Sequence, residues 1–193
     1  MNAFQPAIKA IDAENARDPN LEACRGTEQP REFLYAQRLT GWLLKLAPDA
    51  SETLRLAARC QHICRWIIPR DSYPRTRAGY LRWRNDLKNF HARKAGEVLA
   101  QAGCAADVIQ RVQDLNLKKN FPADPESRVL EDALCLVFLE FQLADLAAKM
   151  DEASMINAIQ KTWQKMTPAA RQHALALPFG AREKQLIDRA LAP

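Results

Sequence analysis

The chain has 193 residues, 26% of them charged and 48% hydrophobic, with six glycines and a formal net charge of +5. That length makes one domain the expectation and does not favour three. Scarce glycine and long runs of Ala, Leu, Arg, Lys, Glu and Gln, which lose little freedom in a helix, exclude a sheet-dominated fold and predict an all-α helical bundle.

In chain order, Ala3 to Ala16 reads as a first helix closed by Asp18-Pro19-Asn20, with Glu22 to Gln29 a polar connection. A second helix spans about Pro30 to Leu46, where Phe33, Leu34, Leu39, Trp42, Leu43 and Leu46 recur at the three-and-four spacing of a buried stripe. Asp49 with Glu52 predicts a capping box, starting a third helix that runs toward Trp66 and stops before Pro69. After a loop over Ile67 to Pro74, a long basic helix is expected from Arg75 to Gln101, ended by Gly103, and a fifth from Ala105 to Lys118. Asp124-Pro125-Glu126 opens a sixth, to about Met150, whose apolar middle, Ala133 to Leu139, suits the centre of a bundle. Short C-terminal helices follow over Asp151 to Met166, Thr167 to Leu177 and Ala181 to Leu191. The expectation is a single domain, 1–193, with its core at about 30–150 and the C-terminal helices at 151–193.

No apolar run approaches bilayer length, and Met1 leads into Asn2 and Lys9 without an apolar leader. A cytoplasmic protein with no membrane partner is expected. The five cysteines are odd in number and form no C-x-x-C pair, so reduced thiols are expected; Cys60 and Cys64, four apart, read as small buried packing residues.

Charge is concentrated in one stretch. Arg55 to Lys94 holds eleven Lys and Arg against two acids, Asp71 and Asp86, together with two of the three histidines, His62 and His91. An anionic ligand is the natural partner of such a segment. Trp66, Tyr73, Tyr80 and Trp83 alternate with arginines there, so rings are available to stack on bases while guanidinium groups hold phosphate. The same rings equally suit core anchors, with the arginines as a solvated face.

Glu131 and Asp132 sit one turn inside the central helix between apolar neighbours, where a buried carboxylate needs a cation. Arg55, Arg59, His62 and Arg65 or Trp66 form one polar strip, and Arg84, Lys88 and His91 another. If the strips converge, His62, His91, Glu131 and Asp132 form a catalytic group. The two histidines with one or both carboxylates, drawn from separate helices, would then be an ordinary ligand set for a divalent metal such as zinc, manganese or iron. Arg59, Arg65, Trp66, Tyr73, Tyr80, Trp83, Arg84 and Lys88 would bind a phosphorylated small molecule or RNA. The alternative is structural: Arg59 and Arg65 neutralise Glu131 and Asp132, and the histidines are satisfied core or rim residues. Nucleotide-binding glycine loops and the usual hydrolase signatures are absent from the sequence.

Leu34-Tyr35-Ala36-Gln37-Arg38, Ala57-Ala58-Arg59-Cys60-Gln61-His62-Ile63-Cys64-Arg65-Trp66, Arg77-Ala78-Gly79-Tyr80-Leu81-Arg82-Trp83-Arg84, Phe90-His91-Ala92 and Leu130-Glu131-Asp132-Ala133-Leu134 together resemble the family catalogued as domain of unknown function 4202. Some of its members carry the label glutamyl-tRNA synthetase, although this sequence lacks the nucleotide-binding motifs of a synthetase. More distantly, the order of His62, His91 and Asp132 is similar to the HD superfamily of helical metal phosphohydrolases, with Ile63 where that superfamily has an aspartate. That resemblance implies an HD-like bundle, metal ligation by His62, His91 and Asp132, and metal-dependent phosphoester hydrolysis on a nucleotide or RNA. Oxygen chemistry at a non-haem iron is a further alternative, and a non-catalytic RNA- or protein-binding module is the alternative from another class.

Overall fold

A computed structural model describes residues 3–24 and 26–192. Most of them are helical, and the chain divides into two compact units, Met1–Ser127 and Arg128–Pro193. Among the described residues no helix is long and apolar enough to cross a membrane.

The first unit opens with α1 (Phe4–Asn15). The stretch expected to be a plain polar connection is instead an antiparallel hairpin, β1 (Leu21–Cys24) and β2 (Thr27–Pro30), with Leu21 opposite Pro30 and Cys24 opposite Thr27. Its two-residue connection includes Gly26 at φ +81°, the left-handed conformation that glycine adopts without penalty. Neither strand has a buried residue, and each is only four residues long, so alternation gives them little signal. α2 (Arg31–Leu46) follows at once and packs against the hairpin and against α3 (Glu52–Cys60).

The cap of α3 is Ser51, whose hydroxyl accepts from the Leu54 amide at 3.0 Å, and not Asp49. The helix also ends six residues earlier than its apolar pattern suggests. Residues 61–64 form a turn that closes on Cys64 in the left-handed region, φ +54°, with its thiol buried and donating to Glu14 Oε2 at 3.4 Å. His62, Arg65 and Trp66 therefore leave the helical line of Arg55 and Arg59 and stand on irregular chain.

Two short 3-10 turns, Arg65–Ile67 and Arg70–Ser72, lead to α4 (Arg77–Gln101), capped by Thr76. Gly79 lets the incoming loop lie on the first turn of α4, because a Cβ there would collide with the Pro74 carbonyl oxygen. Gly103, φ +81°, ends the helix region, and α5 (Ala106–Asn116) folds back on α4 and α3. Ile11, Leu39, Leu43, Leu56, Ile63, Leu99 and Leu115 are its fully buried centre.

Asp124 caps α6 (Pro125–Val137) as its sequence predicts, accepting from the Glu126 amide at 3.0 Å. The helix does not run evenly to Met150. It widens into a π turn over Phe138–Gln142 before α7 (Leu143–Ala147), and its all-round apolar sequence gives no period from which that slip could be read. α8 (Glu152–Lys165), α9 (Pro168–Leu175) and α10 (Ala181–Leu191) complete the second unit, the first two capped by Asp151 and Thr167. Leu139, Leu143, Met155, Ile159 and Met166 are buried there.

Candidate functional site

In the first unit a polar cluster forms where α2, the turn after α3 and α4 meet their own buried faces. Glu32 is the second residue of α2 and stands in line with Leu39 and Leu43, seven and eleven residues on, so its carboxylate points where those leucines do. The buried Asp18 fixes this start. Its Oδ2 accepts from the Glu32 amide at 3.0 Å and its Oδ1 from the Asn20 amide at 2.9 Å, supplying the cap that Pro30 cannot.

Glu32 is 5% exposed. Its Oε2 lies 3.3 Å from Nδ1 of His62 without forming a hydrogen bond, and its Oε1 lies 3.8 Å from Nε of Arg65. Burial pushes its carboxyl up to about 7, opposed by the positive charge of Arg65. His62 stacks on Tyr35 with centroids 4.0 Å apart and planes at 10°, and on its other side meets His91 at 5.8 Å. Its side chain keeps 23% exposure, so the ring links a buried carboxylate to the surface. Burial, then the charges of Arg65, Arg84 and Lys118, hold the imidazole well below its usual range.

His91, on α4, is 4% exposed. Its Nδ1 lies 2.8 Å from the Ile63 carbonyl oxygen, so that nitrogen carries the proton, and the buried Nε2 has no hydrogen-bond partner. Burial, reinforced by His62, lowers it to about 3, so this ring is neutral.

The predicted ligand-binding residues divide by role. Arg59 donates from Nε and Nη2 to the two oxygens of Asp12, at 2.6 and 2.9 Å, a bidentate pair joining α3 to α1. Trp83 is buried, donates Nε1–H to the Ile68 carbonyl at 3.0 Å, and has Arg65 and Arg70 over its ring, so it is an anchor for the loop. Tyr73 donates its hydroxyl to Asp86 at 3.0 Å, and Trp66 is half-buried. Tyr80 and Arg84 are exposed, Lys88 half-buried.

Glu131 and Asp132 lie in the second unit, both buried, as their apolar neighbours predict. Lys165 stands 3.3 Å from Glu131. Asp132 accepts from the Thr167 amide at 2.9 Å and from its hydroxyl at 2.6 Å, so both oxygens secure the start of α9. Among the described residues no group of three or more His, Cys, Asp or Glu is arranged to hold a metal ion.

The sequence reading missed Glu32, Tyr35, Asp18 and Asp12. Glu32 did carry a signal: an acid on the buried stripe of an amphipathic helix.

No curated protein and no solved structure matches the chain. Over residues 5–187 it matches the family described as Domain of unknown function (DUF4202), and it belongs to that family.

Proposed function

We propose that the first unit binds a phosphorylated ligand, a nucleotide or an RNA, and hydrolyses a phosphoester with Glu32 and His62 as an acid–base pair. The observation that supports this reading is the 3.3 Å approach of Glu32 Oε2 to His62 Nδ1, a carboxylate titrating near neutrality behind a neutral, partly exposed imidazole. With the proton on Nδ1, the nitrogen beside the carboxylate, Nε2 of His62 has the lone pair needed to take a proton from an attacking water. Arg65 and Arg84, with Lys118, give the positive field in which a phosphoryl oxygen gains charge.

An HD-like bundle with His62, His91 and Asp132 around a divalent metal is the form implied by the more distant resemblance. His91 suits a ligand, since Nε2 is unpartnered and Nδ1 is held by a backbone carbonyl. Asp132 does not fit, because both oxygens already serve Thr167. The chemistry proposed therefore rests on Glu32, His62 and the cationic rim.

A second reading, a non-catalytic binding module for RNA or protein, draws on the burial of Glu32 and His91 at 5% and 4% exposure, which is equally the mark of a structural polar cluster. Phosphate release from a panel of nucleotides and p-nitrophenol release from bis-p-nitrophenyl phosphate separate the two. Turnover that falls at least about a hundredfold in Glu32→Gln and in His62→Gln, with the far-UV spectrum unchanged, supports the acid–base pair. Binding without turnover in the wild type supports the module, and neither binding nor turnover removes both.

A further inference from the structure

On α4 the residues Arg77, Leu81, Arg84, Lys88, His91 and Ala95 fall on one face, since steps of seven and four residues return to the same side of a helix. That face is exposed at Arg77, Leu81 and Arg84, half-buried at Lys88 and buried at His91 and Ala95. A surface track therefore runs along the helix and sinks into the protein at the polar cluster.

Three of its side chains are cations without a counter-charge. Among the described residues Arg77, Arg84 and Lys88 form no ion pair, whereas the other cations of α4 each have one: Arg82 stands 3.9 Å from Asp86, Arg93, on the far side of the helix, 3.1 Å from Glu97, and Lys94 3.1 Å from Glu14. The helical rise puts Arg77 and Arg84 about 10 Å apart along the axis and Arg84 and Lys88 about 6 Å apart, more than a single phosphate group spans. Between and beside them lie Leu81, 57% exposed, and Tyr80, 42% exposed. Apolar side chains among unpaired arginines have no role against the uniform phosphate surface of a duplex, but they suit unstacked bases.

We propose that the ligand of this protein is a single-stranded nucleic acid, its phosphates along Arg77, Arg84 and Lys88, its bases against Tyr80 and Leu81, and one end delivered to Glu32, His62 and His91. This rests on the phosphorylated-ligand reading and names the ligand's class. A mononucleotide would leave most of the track unused, and an anionic membrane would meet a narrow line of charge in place of a broad apolar face.

Fluorescence anisotropy with labelled 12-mers of oligo(U) and oligo(dT), titrated over 50 to 200 mM salt, tests it. Three phosphate contacts on a single strand give a slope of log affinity on log salt of about −2, a loss of about 20-fold over that range. Arg77→Ala combined with Lys88→Ala should flatten the slope by about 1.4, whereas Arg93→Ala should leave it unchanged. Competition by UMP equal to that of the 12-mer would overturn the single-strand proposal and leave the phosphorylated-ligand reading standing. So would duplex, or vesicles of anionic lipid, binding as tightly as the single strand. If no probe binds, the proposal fails, and the phosphate-release assay decides separately whether Glu32 and His62 act on a small molecule.

Discussion

Glu32 Oε2 and His62 Nδ1 stand 3.3 Å apart, two polar atoms at contact distance that share no hydrogen bond. The carboxyl is held by burial at about 7, against an ordinary value of 4.5. In the folded protein it therefore keeps a proton that it loses when unfolded, and its contribution to stability, complete below pH 4.5, is lost as the pH rises through 7. Glu32→Gln cannot ionise, so its stability relative to wild type should rise from pH 5 to pH 8. Urea midpoints at the two pH values check this. An identical difference at both would mean that Glu32 does not titrate in that window.

The two histidines act in the opposite sense. His91 is lowered to about 3 and His62 well below 6.5, so each binds a proton more readily in the unfolded chain. Their contribution is complete above about pH 6.5 and is lost as the pH falls toward the folded values. The urea midpoint of the wild type should drop between pH 6.5 and 5, and the drop should be shallower in His91→Asn, whose amide can still donate to the Ile63 carbonyl. Ring nitrogen shifts of His62 and His91 followed by NMR should stay those of neutral imidazole down to pH 5.5; a midpoint near 6.5 for either would contradict their burial.

Why part of this was readable in the sequence follows from the range of each interaction. Asp124-Pro125 and Thr167-Pro168 mark helix starts because cap and capped amide lie within three residues. The turn at Cys64 carries a bond to Glu14, fifty residues away, and the local apolar pattern overruns the end of α3. Arg59 finds its acid at Asp12, forty-seven residues earlier, and no local pattern encodes that choice. Histidines are rare in this chain, which makes His62 and His91 stand out in the sequence, and their rings do meet. A single acid at a helix start reads as an ordinary first-turn charge, although the alignment of Glu32 with Leu39 and Leu43 shows that it faces inward.

Asp132 and Thr167 provide a test within the second unit. The hydroxyl of Thr167 donates to Asp132 at 2.6 Å and also accepts from the Ala170 amide at 3.3 Å. Removing the carboxylate leaves the partly buried amide and hydroxyl of Thr167 without their acceptor, so Asp132→Ala should cost about 2 to 3 kcal/mol, and Thr167→Ala about 1 to 2. Because they share a bond, the double variant should lose less than the two together, by roughly 1 kcal/mol in denaturant unfolding. Strict additivity would show that the hydroxyl bond contributes nothing.

Thiol reactivity gives the last expectation. Cys60 is fully buried and its thiol is pushed far above the usual range by burial; Cys64, 1% exposed, is pushed up to about 12 by burial and by its hydrogen bond to Glu14. The thiolate is the nucleophile, so both should resist alkylation while the protein is folded. Cys135 is also buried, whereas Cys24 and Cys104 are partly exposed. Iodoacetamide at pH 8 followed by mass spectrometry should therefore modify Cys24 and Cys104 first, with the other three reacting only on unfolding. Early labelling of Cys64 would mean that the turn after α3 opens in the native protein, and with it the segment that places His62 beside Glu32.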